Sequence, residues 1–109
     1  MATTYKVLGQ SSPSATTATT LYTVPAATQT VVSTVTVANR AATAGSYRIA
    51  VRVAGASLAN SQYIAYDVSL PANASDTLTL GLTLGATDVI TVYASTANLT
   101  FTAFGSEIA

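Results

Sequence analysis

The chain has no cysteine, no histidine and no tryptophan, and only four basic and four acidic residues among 109. Without cysteine there can be no disulfide and no thiolate metal site, so cysteine usage says nothing about the redox compartment. Without histidine, the usual general base for a serine or threonine nucleophile is missing. The single lysine, Lys6, lies near the terminus, and nothing positions a Ser–Lys pair around it. Acid–base chemistry by paired carboxylates would need two of Asp67, Asp76, Asp88 and Glu107 to converge. The dense Asp/Asn/Gly spacing of a calcium loop is missing too. No catalytic, cofactor-binding or metal-ligating residue is therefore expected, and no cofactor.

Charge and length narrow the partners. The net charge is zero, so the chain lacks the basic excess with which nucleic-acid binders neutralise phosphates. A neutral surface also lacks self-repulsion and favours association. Half of the residues are hydrophobic, but the strongly apolar runs are only a few residues long. They fall far short of the roughly 18 residues of a membrane span, so neither nucleic acid nor membrane is an expected partner. The opening residues have no basic stretch followed by an apolar run, and production without Sec export is expected. That fits a cytosolic protein or one assembled inside a cell before lysis.

What the chain has in place of charge is threonine, roughly a fifth of all residues. The threonines recur at every second position between apolar residues, the period of a strand. Residues 31–39 set Val31, Ser33, Val35 and Val37 on one face against Val32, Thr34 and Thr36. Residues 46–53 are the clearest case, with Tyr47, Ile49, Val51 and Val53 facing away from Arg48, Ala50 and Arg52. Residues 62–70 alternate Ile64, Tyr66, Val68 and Leu70 with Tyr63, Ala65, Asp67 and Ser69. Residues 76–84 put Leu78, Leu80, Leu82 and Leu84 on one face, a spacing that would encircle a helix and so indicates a strand. Residues 21–24, 89–94 and 98–104 complete the set. Leu99, Phe101 and Ala103 of the last oppose Thr100, Thr102 and Phe104.

The expectation is an all-β fold, an antiparallel β-sandwich of about 7–8 strands with Ig-like or jelly-roll topology. Residues 1–20 read as an N-terminal arm, with a short edge strand at Tyr5, Val7 and Leu8 and a Ser/Thr/Ala stretch broken by Pro13. Residues 21–109 read as the sandwich domain.

Asp76 and Asp88 follow turn residues and are expected to bond to turn backbone. Asp67 is expected to be solvated or to pair with Arg48 or Arg52. Arg40, Arg48 and Arg52 are candidate subunit contacts: either solubilising charge or a docking stripe for carboxylates of a neighbour, which the planar guanidinium suits. Tyr63 and Tyr93, off the main apolar faces, are candidate glycan contacts or plain cross-strand packing partners. Tyr66, in line with Ile64 and Val68, is expected in the core. The triplets Asn73-Ala74-Ser75 and Asn98-Leu99-Thr100 match glycosylation sequons but, without export, read as chance matches.

Several segments carry a family likeness. Leu21-Tyr22-Thr23-Val24-Pro25-Ala26, the strand over 31–37 ending in Asn39-Arg40, and Tyr47-Arg48-Ile49-Ala50-Val51-Arg52 resemble small virion structural proteins of tailed bacteriophages, above all of phages infecting cyanobacteria. Tyr63-Ile64-Ala65-Tyr66-Asp67, Val89-Ile90-Thr91-Val92-Tyr93-Ala94 and Phe101-Thr102-Ala103-Phe104-Gly105-Ser106-Glu107 extend the resemblance over nearly the whole chain. It implies a non-enzymatic component of the virion, assembled in the host cytoplasm, present in multiple copies or as a homo-oligomer. An external decoration or accessory subunit binding neighbouring virion proteins of capsid or tail is the leading expectation. A receptor- or glycan-binding module of a tail fibre or baseplate is the alternative. No functional residue is carried over from the family.

Overall fold

A computed structural model describes residues 2–109. It contains nine strands: β1 (Thr3–Ser11), β2 (Thr19–Thr23), β3 (Gln29–Asn39), β4 (Gly45–Arg52), β5 (Tyr63–Leu70), β6 (Ser75–Leu78), β7 (Leu82–Leu84), β8 (Val89–Ala94) and β9 (Leu99–Ile108). Short 3-10 turns at Val53–Gly55 and Asn60–Gln62 lie between β4 and β5. One sheet runs β1-β9-β3-β6, with β7 also on β3, and the other runs β2-β8-β4-β5. All pairings are antiparallel. With β6 and β7 taken as one interrupted strand, the chain is a long hairpin of couples, β1 with β9, β2 with β8, β3 with β6/β7 and β4 with β5. Successive couples alternate between sheets. This is jelly-roll connectivity, which decides between the two expected sandwich topologies.

The alternation is realised most directly in β4, β8 and β9. Tyr47, Ile49, Ile90, Val92, Leu99, Phe101 and Ala103 are buried between the sheets with Val32, Val35, Val37 and Leu70. The Tyr47 ring meets Phe101 edge-on, with centroids 6.1 Å apart. Two tyrosine hydroxyls bridge the sheets. Tyr47 donates to Asp76 Oδ2 at 2.8 Å. Tyr22 donates to Glu107 Oε2 and also bonds Thr30, and Lys6 Nζ lies 2.7 Å from Glu107 Oε1.

The strand expected over 76–84 is broken. Leu78 pairs with Val35 and Leu82 with Val32, so residues 79–81 oppose only Ser33 and Thr34. Gly81, at φ +61°, absorbs the excess residue, and Leu80 is left exposed. β3 itself carries an irregularity against β9 between Val32 and Thr34. It reverses the face, so Val31 looks outward while Val32 joins Val35 and Val37 in the core. β5 carries two such shifts against β4. There Val68 and Leu70 keep the expected face, whereas Ile64 and Tyr66 turn to solvent. In β3 and β5 the cause is the same, an extra residue in a ladder that moves the side chains beyond it to the other face. Between β6 and β7 the excess is confined to residues 79–81, and Leu82 and Leu84 return to the core side.

The expected arm is part of the sandwich. β1 pairs along its length with β9, from Thr3–Ile108 to Ser11–Phe101, and β2 already begins at Thr19. The connection between them is fastened by a buried Pro13 and by the Thr16 amide bonding to the Ala94 carbonyl at 2.8 Å. Residues 2–20 are thus continuous with the rest of the fold, and Met1, the start of the expected arm, lies outside the described residues. Gly9 makes this corner possible, because a Cβ there would collide with the Leu21 carbonyl.

Candidate functional site

The outer face of the β2-β8-β4-β5 sheet gathers most of the residues singled out from the sequence. Arg48 projects outward at the middle of β4, directly opposite Tyr93 of β8. On its other side β5 bulges. Tyr47 pairs with Val68 and Ile49 with Ala65, so Arg48 faces two residues, Tyr66 and Asp67. Asp67 takes up the distortion with φ +49°, in the left-handed region that aspartate tolerates better than most residues. The bulge aims both side chains at Arg48. Its Nε donates to Asp67 Oδ1 at 2.6 Å and its Nη2 to Oδ2 at 3.3 Å, a two-pronged pair. Its guanidinium carbon lies 4.2 Å from the Tyr66 ring centroid and 4.4 Å from that of Tyr93, so a cation rests against an aromatic face on each side. Tyr63, next along β5, meets Tyr66 edge-to-face with centroids 4.9 Å apart.

The electrostatics are local. The hydrogen bond from Arg48 holds the Asp67 carboxyl below the usual carboxylate range, and Asp67 in turn raises the affinity of Arg48 for its proton. Both side chains remain in contact with water, at 23% and 47% exposure, so solvent screens the attraction. What the arrangement chiefly provides is position. A long side chain is held upright between two rings, and Tyr66 stays 55% exposed beside it. Asn60, Tyr63 and Tyr66 line a shallow hollow of about 490 Å³ at the edge of this cluster.

The other two arginines do not extend it into a stripe. Arg52 Nε donates to Thr91 Oγ1 at 3.0 Å, and its Nη1 reaches the carbonyls of Gly55 and Ala56 at 3.4 and 3.2 Å, holding the loop after β4. Arg40 follows β3 in the opposite sheet, where it bonds Thr100 Oγ1, Ser12 Oγ and the Ala97 carbonyl. The chain crosses the sandwich between β3 and β4, so nearness in sequence does not put Arg40 near Arg48.

Of the glycan candidates, Tyr63 opens on the hollow, while Tyr93 is occupied by Arg48. Tyr66, expected in the core, is the exposed centre of the cluster. Only the bulge puts it there, and nothing in the alternation of apolar residues marks the bulge. Asp88 takes the turn role expected of it, accepting from the Gly85 and Ala54 amides at 2.9 and 2.8 Å. Asp76 does not. It lies within β6 and accepts from Tyr47 across the sheets.

A second hollow, of about 380 Å³, lies where the two sheets part between β5 and β6, lined by apolar side chains including Ile49, Ile64, Val68 and Leu78. Among the described residues, no three acidic side chains stand close enough to hold a metal ion. Among the described residues no helix is long and apolar enough to cross a membrane. Comparison with known proteins finds no matching family model, no matching curated protein and no matching solved structure.

Proposed function

We propose that this chain is a non-enzymatic structural subunit of a tailed-phage virion, an external decoration or accessory protein that docks on neighbouring virion proteins through the outer face of the β2-β8-β4-β5 sheet. The observation that carries the reading is the Arg48 guanidinium held between Tyr66 and Tyr93 and paired with Asp67. Arginine and tyrosine dominate the energetic centres of protein interfaces, and rigid side chains lose little freedom on binding. The sequence likeness over nearly the whole chain supplies the phage context. Jelly-rolls recur in viral coat domains, which agrees with that context by analogy of fold.

In this reading Arg48 does not reach for a partner's carboxylate, because Asp67 already satisfies it. It stiffens an aromatic patch and neutralises it. Mass spectrometry of purified virions, with heads and tails separated, tests the proposal. The chain is expected at stoichiometric copy number in one fraction; its absence from both would overturn the reading.

The hollow beside Tyr66 favours one other reading, a receptor- or glycan-binding module of a fibre or baseplate. Exposed rings next to an amide side chain, Asn60, provide stacking surface and hydrogen bonds for a sugar. Binding of the purified protein to host surface polysaccharide, lost in Tyr63→Ala, would favour it over decoration.

A further inference from the structure

The first strand presents a surface that the docking face does not use. β1 is the outermost strand of its sheet, paired on one side only, and of its nine residues those before Gly9, which abuts β2, form the free edge. Edge strands are ordinarily guarded by unpaired charges, prolines or bulges. The stretch from Thr3 to Val7 has none of these in force. Its one charge, Lys6, is tied to Glu107, and the irregularity in β1 comes only after Val7. On the outer face Tyr5 is 83% exposed and Val7 48% exposed, with Phe104 exposed beside Val7 on β9.

We infer that β1 pairs with β1 of a second copy, antiparallel across a two-fold axis through Tyr5, joining the two β1-β9-β3 sheets into one. A second copy is the fitting occupant for two reasons. Two identical antiparallel strands are self-complementary, so a free edge of this kind closes on itself as a two-fold pair. The charges also fit. With Tyr5 opposite Tyr5, Lys6 stands opposite Thr4 of the partner and no like charges meet. Thr4 is itself paired with Glu107 on its other side, so the partner's Lys6, Thr4 and Glu107 lie in one row across the joined sheet. Each Lys6 then has a Glu107 within its own subunit and another across the interface.

Size sets the strength. Two tyrosines, two valines and their neighbours bury on the order of 600–800 Å² in total, below the roughly 1,200 Å² of a standard stable interface. The pair is therefore weak in dilute solution, with a dissociation constant of roughly 0.1–1 mM, and suited to copies held close together in an assembly. This inference stands on the strand edge alone and does not depend on the virion reading.

Sedimentation equilibrium of the full chain from micromolar to millimolar concentration tests it. The mass is expected to rise toward twice the monomer without passing it, following a single monomer–dimer equilibrium, and Tyr5→Lys should weaken association at least about tenfold with an unchanged melting temperature. Because the chain has no cysteine, Tyr5→Cys supplies a single thiol at the two-fold axis. The Cα separation of directly opposed strand residues, about 4.5–5.5 Å, suits a disulfide. Mild oxidation should link Tyr5→Cys into dimers much faster than Val53→Cys, an exposed control away from β1. A monomer throughout with equal cross-linking of the two variants, or a mass that grows past the dimer without levelling, would overturn the inference.

Discussion

The amide of Asn39, the last residue of β3, donates to the carbonyl of Leu70, the last residue of β5, at 3.3 Å. The same nitrogen reaches the Thr43 and Pro71 carbonyls at 2.9 and 3.2 Å, while its Oδ1 accepts from the Ala41 amide. Asn39 is buried, and this one side chain ties the β3–β4 connection in one place to the β5–β6 turn in another. Replacing it with alanine leaves buried carbonyls without a donor. Asn39→Ala is expected to cost about 2 kcal/mol of stability, read as a lower denaturant midpoint at unchanged slope.

A second prediction concerns pH. Glu107 is held below the usual carboxylate range by Lys6 and, next, by the Tyr22 hydroxyl, against the opposing effect of burial. The stability it contributes is fully present above about pH 4.3 and fades as pH falls through its lowered value. Tyr22 is pushed up to about 12, first by burial and then by Glu107. Its contribution is present below pH 10 and fades as pH rises toward 12. Tyr47, raised by burial and by Asp76, acts in the same direction. Urea unfolding across pH should show a plateau with a loss on each side. Glu107→Gln should flatten the acid side, and Tyr22→Phe should reduce the alkaline loss while leaving the part due to Tyr47.

A third follows from close backbone approach. A Cβ at Gly105 would collide with the Val31 carbonyl where β9 meets the irregular part of β3. No flexible side chain is present to yield, so the backbone itself must move. Gly105→Ala is expected to destabilise by about 3 kcal/mol, far more than the same change at the unobstructed Gly85. Thermal unfolding of the two variants side by side checks this.

The contrast between strands shows what sequence can reveal about such a fold. β4, β8 and β9 are uninterrupted on their inner faces, so alternation alone places Tyr47, Ile49, Leu99 and Phe101 in the core. Where a strand takes an extra residue, at Ser33, around Tyr66–Asp67 and at Gly81, alternation misleads, because Ile64, Tyr66 and Leu80 are apolar on either face. The candidate site divides in the same way. Arg48, Tyr63 and Tyr93 were legible as outward-facing. Tyr66 was hidden by the bulge, and the separation of Arg40 from Arg48 was hidden because local sequence does not say when the chain changes sheets.

A fourth prediction isolates the ion pair. Asp67→Asn keeps a side chain that tolerates the left-handed backbone but removes the negative charge. The fold should persist, with strand pairing around the bulge unchanged by NMR. The Arg48 Nε proton should exchange with solvent faster than in the parent. Unchanged exchange would mean that the two rings alone hold the guanidinium.

The most direct measurement is the occupancy of variant subunits on particles assembled in their presence, competed against the parent protein. If the Arg48–Tyr66 patch is the docking centre, Arg48→Glu and Tyr66→Ala should each reduce occupancy at least about tenfold while melting within a few degrees of the parent. Arg40→Ala, on the other sheet, should incorporate normally. Full occupancy by both patch variants would contradict docking through this face.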